Sequence, residues 1–315
     1  MTGSFLNEIK VPLKKLRAWP PVNGLATSTV RSVLRVLGRQ PDWVVRHLHR
    51  VGPVDEALPN GRRLRLWSEG DDWVSNQIFW RGWDGYEPET VGLFFRLAER
   101  SRVTLDVGAY VGYYTLLAAH ANPAGRVFAF EPMPSPGQRL LRHLTLNGLA
   151  NVECVAAAAG AEDGEADLFH VPQELPTSSS LSFEFMSPAH ELSRLRVPVR
   201  SLDRFLEERG VTGVDLVKID TESTEPEVLA GLQRTLRRDR PFVFCEVLAG
   251  RGAEGRLESL LAPQGYRFFL LTPWGPQEKA HVVGDPVWLN YLFLPSGREI
   301  PDQHGDPPVG KAGGG

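Results

Sequence analysis

"TLDVGAYVGYYTLLAA" (residues 104–119) opens as an apolar run suited to a strand, turns through Gly108 and Gly112, and continues as a helix. A glycine at 108 lets the chain turn tightly and lets backbone N–H groups approach a ligand closely. The Gly-x-x-x-Gly spacing lacks the third glycine of the dinucleotide fingerprint, in which a pyrophosphate rests on the helix N-terminus. Asp106 at the turn makes an anion less welcome and favours a cationic or zwitterionic ligand. Nineteen residues past Gly112, the next strand ends at Glu131 in "VFAFEP". An acidic side chain at that place accepts hydrogen bonds from ribose hydroxyls, so the two motifs together point to a nucleoside ligand, NAD or S-adenosylmethionine. Pro132 and Pro134 stop the strand and aim Glu131 into the crevice.

Working outward, apolar runs recur with helix-like segments between them: "VTLDV", "RVFAFE", "NVECVAA", "VDLVKID" and "PFVFCEV". Such runs suit strands buried on both faces of a parallel sheet. The intervening helices are expected at 115–121, 134–147, 202–209, 225–237 and 254–262, and the alternation means a doubly wound α/β sheet. "YRFFLL" (266–271) and "WLNYLFL" (288–294) follow one another without a helix and form an antiparallel pair at one end of the sheet. Upstream, "RRLRLW" (62–67) alternates as a strand and "ETVGLFFRLAER" (89–100) reads as an amphipathic helix. The stretch 172–196, "PQELPTSSSLSFEFMSPAHELSRLR", is long and irregular, which marks a functional loop such as a lid. The expected division is 1–60 as a basic helical extension, 61–101 as a strand/helix lead-in, 102–295 as the nucleoside-binding catalytic domain, and 296–315 as a disordered Gly/Pro-rich tail.

With 42% hydrophobic and 23% charged residues, the chain falls in the ordinary globular class. No apolar run approaches the roughly 18 residues of a transmembrane span, and the N-terminus lacks the apolar centre of a signal peptide. A cytoplasmic location is the expectation. Cys154 and Cys245 lie in apolar runs and read as small buried residues in a reducing compartment. Residues 1–50 carry nine Lys/Arg against Glu8 and Asp42, a net charge of +7 within a chain whose total is −3. That segment is either an arm for an anionic partner (a carrier protein or membrane surface) or a solvated helical appendage docked by Trp19, Leu34, Leu37 and Trp43. It lacks interleaved stacking residues, so nucleic acid is not expected.

"VKIDTESTEPEVLAG" (217–231) gathers one lysine and four carboxylates at the end of a central strand. Thr224 and Glu227 read as a capping box, with Pro226 in the first turn and Glu225 favouring the helix dipole. Lys218, Asp220 and Glu222 have no such explanation, and they lie where open α/β sheets bind ligands. Lys218 and Asp220 share one strand face, so their heads can pair. Glu246, ending the next strand, points into the same neighbourhood, and crowded carboxylates require a raised pKa or a cationic partner.

These motifs, with "GDDWVSNQIFWRGWDGYEPE", "NGLANV" and "SSSL" in order, give residues 60–294 a resemblance to the FkbM family of S-adenosylmethionine-dependent methyltransferases. The resemblance implies a class I methyltransferase sheet: Rossmann-like, mostly parallel, seven-stranded, with an antiparallel last strand. It implies cofactor contacts from Asp106, Gly108, Gly112 and Glu131, and active-site roles near Tyr86–Glu87, Ser179–Ser180 and Lys218–Glu225. The full expected cofactor set is Tyr86, Glu87, Asp106, Gly108, Tyr110, Gly112, Tyr113, Glu131, Pro132 and Asp220. Catalysis is expected from Asp220 or Glu222 as base, with Lys218 orienting. His170 and His190 are runners-up, and Ser179, Ser180 and Glu246 are expected at the acceptor. Trp80, Trp83 and Tyr86 are either a wall for a bulky acceptor or core. The family usually has Gly where this chain has Ser223; a positive φ there would cost serine roughly 1 kcal/mol.

The leading expectation is O-methylation of a hydroxyl on a sugar or secondary metabolite, so the partner is a small-molecule or natural-product acceptor. N-methylation of a peptide or amide stays open beside it. An NAD-dependent oxidoreductase is disfavoured by the missing glycine and by Asp106, and a non-catalytic nucleoside-binding module is the remaining alternative. A Mg²⁺ site from Asp220, Glu222 and Glu246 is a minor reading, with no metal assigned. A homodimer is compatible with the sequence.

Overall fold

The computed structural model describes residues 19–38, 41–170 and 193–301, with the backbone of 179–180. Helices Pro20–Val36 (α1) and Asp42–His47 (α2) lead into a hairpin of Val51–Ala57 (β1) and Arg63–Glu69 (β2), then helices Trp73–Arg81 (α3) and Pro88–Ala98 (α4). Strand and helix then alternate as Val103–Val107 (β3), Tyr113–Ala121 (α5), Arg126–Phe130 (β4), Pro134–Asn147 (α6) and Val152–Val155 (β5). Ala158–Gly160 (β6), Gly164–His170 (β7), Ser179–Ser180 (β8) and Ser193–Ser201 (β9) follow. The chain continues as Leu202–Glu208 (α7), Leu216–Ile219 (β10), Glu225–Ala230 (α8), Gln233–Asp239 (α9), Phe242–Glu246 (β11) and Glu254–Leu261 (α10). Tyr266–Thr272 (β12), Gly275–Lys279 (β13) and Asn290–Pro295 (β14) complete it.

The main sheet has the order β13-β12-β14-β11-β10-β3-β4-β5. The five strands from β11 to β5 are mutually parallel, and β14 runs antiparallel to both neighbours. The doubly wound α/β expectation holds, with an apolar cluster on each face of the sheet. The strand count is corrected from seven to eight. After β12 the chain reverses through Pro273–Trp274, where Thr272 Oγ1 donates to the Gly275 carbonyl at 2.9 Å, and the returning β13 adds to the edge.

Three further expectations are corrected. The strand expected over "NVECVAA" stops at Val155: a tight turn closed by Ala157 N–H on the Val155 carbonyl (2.9 Å) sends the following Ala158–Gly160 into a second sheet of order β6-β9-β7-β8. Part of 172–196 is regular, because "SRLRVPVRS" alternates side chains with period two and pairs with β6 and β7. The helix expected over 225–237 breaks near Gly231. Its carbonyl accepts the Asp203 N–H (2.8 Å) instead of continuing the helix, and the Asp203 carboxylate caps the next one at Arg234 N (2.7 Å) and Thr235 N (2.9 Å).

The N-terminal helix docks differently from expectation. Trp19, Leu37 and Trp43 are exposed, and only Leu34 packs against the core. The helix is held instead by buried Asn23 and Thr27 around Arg50, whose guanidinium reaches Thr27 Oγ1 (2.9 Å) and the carbonyls of Gly24 and Pro53. A buried polar set of this kind is tolerable because its members satisfy one another. The division expected at residue 60 falls in the turn of the β1–β2 hairpin. Among the described residues no helix is long and apolar enough to cross a membrane.

Candidate active site

The ends of β3, β4 and β10 are held level by backbone bonds: Asp220 N–H to the Val107 carbonyl (2.9 Å), and Gly108 and Ala109 N–H to the Phe130 carbonyl (both 3.0 Å). Gly108 has φ 83°, and a Cβ there would stand 1.8 Å from the Asp220 carbonyl oxygen, so no other residue fits. Tyr110 follows at φ 50° and donates its N–H to Glu131 Oε2 (2.8 Å), while Met133 N–H reaches Oε1 (2.8 Å). Each carboxylate oxygen is thus clamped by one backbone donor and keeps a second lone pair. Burial pushes Glu131 up to about 7 against those two hydrogen bonds.

A cavity of about 270 Å³ opens over this turn, and six of the expected cofactor residues wall it: Tyr86, Gly108, Tyr110, Glu131, Pro132 and Asp220. Phe130, Ala157, Ala158 and Leu168 supply apolar surface. The other four stand behind the wall. Asp106 is buried on the strand face toward α5, where its carboxylate accepts the Thr115 hydroxyl, and burial pushes it up to about 6. Gly112 makes room for Leu140, the Tyr113 hydroxyl donates to the Trp83 carbonyl, and Glu87 accepts from the Tyr114 hydroxyl.

On the acceptor side, Lys218 is fully buried and pairs with Asp220 across 3.0 Å. Its ammonium also reaches Asn290 Oδ1 (3.4 Å) and lies 5.1 Å from the centroid of the Tyr114 ring. Burial alone would lower the Lys218 pKa. The charges of Asp220, Glu87 and Glu246 outweigh burial and raise it. Glu222 also lines the cavity; burial, then Asp220 and Glu225, push it up to about 8. Glu246 is raised well above the carboxylate range, by burial first and then by Asp220 and Glu222, and its buried Oε2 has no hydrogen-bond partner among the described residues. One ammonium therefore serves a crowd of carboxylates, and burial with mutual repulsion shifts Glu222 and Glu246 toward their protonated forms.

The turn 221–223 is built differently from the capping box. Thr224 is the N-cap but makes no side-chain cap, and Glu227 pairs with Arg256 instead (2.7 Å). Glu225 folds back, and its Oε1 accepts from Thr221 N, Thr221 Oγ1 and Ser223 N, each at 3.1 Å. That staple holds Glu222 (φ 56°) and Ser223 (φ 86°) consecutively in the left-handed region.

Residues 106–268, 163 of the 315, match the family described as Methyltransferase FkbM domain. The chain belongs to the FkbM methyltransferase family. It is 27% identical over 193 residues to Methyltransferase 1 of Beauveria bassiana, covering 55% of this chain and 76% of that protein. It is 29% identical over 188 residues to the 31-O-demethyl-FK506 methyltransferase FkbM of Streptomyces tacrolimicus, covering 52% and 72%. It is 26% identical over 224 residues to the hexuronic acid methyltransferase AglP of Haloferax volcanii, covering 70% and 84%. The cofactor is S-adenosylmethionine. The clamped Glu131 and the Cβ-free turn at Gly108 fit a ribose and a closely approached backbone, and the oxidoreductase alternative falls away.

Within this FkbM-family site, the expected aromatic wall divides. Trp80 is core, with its indole N–H on the Leu48 carbonyl (2.9 Å), and Trp83 packs on Phe95; only Tyr86 faces the cavity. His170 ends β7 in the second sheet. His190 and the side chains of Ser179 and Ser180 lie outside the described residues. Among the described residues, no group of three or more His, Cys, Asp or Glu is arranged to hold a metal ion. Sequence reasoning missed Asn290, Tyr114 and Thr115. The signal for Asn290 was present: a lone amide in the apolar run "WLNYLFL".

Proposed function

We propose that this FkbM-family methyltransferase methylates a hydroxyl of a sugar or secondary metabolite, with Asp220 taking the hydroxyl proton. The observation that carries the reading is the Lys218–Asp220 pair at the crevice end of β10, directly against the Gly108 turn. S-adenosylmethionine, when bound, supplies an electrophilic methyl group. Tyr86, Gly108, Tyr110, Glu131, Pro132 and Asp220 would hold it, with Glu131 accepting from ribose hydroxyls. The chain's own part is alignment and proton removal, since an in-line displacement depends on both. Lys218, buried and fixed by Asn290, keeps Asp220 oriented. Glu222, which lines the cavity with its pKa pushed up to about 8, donates a hydrogen bond to the acceptor instead of competing for its proton. Relatives named for O-methylation of an FK506 precursor and for methylation of a hexuronic acid support hydroxyl-bearing acceptors.

The test is S-adenosylhomocysteine binding by calorimetry, followed by turnover with a panel of glycosides and macrolides. D220N is expected to lower kcat by about 100-fold or more at saturating S-adenosylmethionine. Wild-type turnover in D220N would remove Asp220 as base. No binding of the product by wild type would remove the cofactor assignment.

A further inference from the structure

The helix α1 is amphipathic in the inverted sense. Its inward face is centred on polar residues: Asn23 and Thr27 are buried, with Val30 and Leu34 packed against the core at one margin. Asn23 ties the helix to the start of β1, its Nδ2 donating to the His49 carbonyl (3.0 Å) and its Oδ1 accepting the Val51 N–H (2.7 Å). Together with the Arg50 guanidinium on Thr27 Oγ1 and the Gly24 carbonyl, these bonds prevent the helix from rolling. Its outward face is apolar. Leu25, Val33 and Val36 fall at i, i+8 and i+11 on one stripe opposite Asn23 and Thr27, and they are 74%, 52% and 88% exposed.

Trp19 before the helix, Leu37 at its end and Trp43 in α2 are exposed as well. Large apolar side chains scattered singly over a surface need no explanation, but six within residues 19–43 mark an interaction face. The same stretch of chain is one-sided in charge. From Ile9 to Pro41 it carries seven Lys/Arg and no Asp or Glu. The acids that approach from packed elements are taken: Glu56 of β1 pairs with Arg31, and Asp42 of α2 pairs with Arg81 at 2.6 Å. A second copy is a poor cover for the stripe, because pairing it face to face would bring two such basic stretches together. An anionic lipid surface meets both features. Acyl chains take the apolar stripe, headgroups take the Lys/Arg, and tryptophan suits the boundary between them.

We infer that the protein docks on anionic membranes through α1, with Leu25, Val33 and Val36 inserted at headgroup depth. The helix lies in the surface and does not span it; among the described residues no helix is long and apolar enough to cross. The inference stands apart from the acceptor assignment, since none of these residues walls the cofactor cavity.

The test floats the full chain with vesicles of phosphatidylcholine, with and without phosphatidylglycerol, for wild type, V36Q and L25Q/V33Q/V36Q. The substituted side chains are exposed, so both variants should keep the wild-type melting temperature. Wild type is expected to bind the anionic vesicles at least about tenfold more tightly than the neutral ones, and high salt should release it. V36Q should weaken that binding about threefold, and the triple variant about tenfold or more. Should the triple variant unfold, V36Q decides alone. Equal binding of wild type to both vesicles, or to neither, would overturn the inference. So would a triple variant that binds as wild type does, because the basic residues would then suffice without the stripe. Capture of soluble polyglutamate in place of vesicles would overturn it in favour of an acidic protein. A dimer that the triple variant converts to monomer in sedimentation would overturn it in favour of self-association.

Discussion

Replacing Ser223 by glycine should stabilise the protein. Ser223 sits at φ 86°, where an L-residue with a Cβ loses roughly 1 kcal/mol or more. Its Oγ is buried without a hydrogen-bond partner among the described residues, and an orphaned hydroxyl costs about 1 kcal/mol at the low end of the usual range. Against these gains, glycine adds unfolded-state freedom worth about 0.5–1 kcal/mol. The Ser223 N–H bond to Glu225 Oε1 (3.1 Å) belongs to the backbone and survives the change. The net gain for S223G is about 1–2 kcal/mol, or a rise in melting temperature of about 2–3 °C for a chain of this size. S223A separates the two contributions, because it removes the hydroxyl and keeps the Cβ; it should recover about half. Scanning calorimetry with urea titration reads both. If S223G is no more stable than wild type while S223A is, the backbone argument is wrong. If neither gains, the strain assigned to this turn is absent.

Three further outcomes follow from the site. Because burial raises Glu222 to about 8 from an ordinary carboxylate value, its native form binds the proton more tightly than the unfolded form. Its contribution is fully present below about pH 4.5 and is lost as pH rises through about 8; E222Q should flatten that part of a stability-against-pH curve, and an unchanged slope would refute the assignment. K218M leaves Asp220, Glu87 and Glu246 facing each other without a cation, so urea unfolding should show a loss of about 3–5 kcal/mol, partly restored in K218M/D220N. E131Q keeps one clamped oxygen but loses the carboxylate, so calorimetry should find S-adenosylhomocysteine binding weakened about tenfold or more; wild-type affinity would remove Glu131 from the ribose.

The central sheet was legible because buried parallel strands leave an unmistakable record: "VTLDV", "VDLVKID" and "PFVFCEV" have no polar face to hide. Lys218–Asp220 was legible for a related reason, since period two is the only geometry a strand offers its side chains. What escaped depended on distant contacts. Asp106 looks identical in sequence whether it faces a ligand or Thr115, and the helix break at Gly231 is decided by Asp203, 28 positions earlier. The second sheet was hidden because β6 is three residues long and completes the run that β5 begins. Asn23 and Thr27 mislead in the opposite sense: they are polar residues that became the buried face of α1 by gathering around Arg50.

The position of β14 carries a consequence for how the protein is made. It follows β12 in the chain yet lies between β11 and β12 in space. Until the ribosome has released residues 290–295, β11 presents an open edge and the β12–β13 hairpin has no sheet to join. Lys218 meanwhile lacks the Asn290 amide. The β11–β14–β12 end is thus the last part of the sheet to close during synthesis. A nascent chain stalled before Asn290 would expose an apolar strand at the point where premature pairing is most damaging. Binding of the nucleoside end does not have to wait, because β3, β4 and β5 already lie side by side.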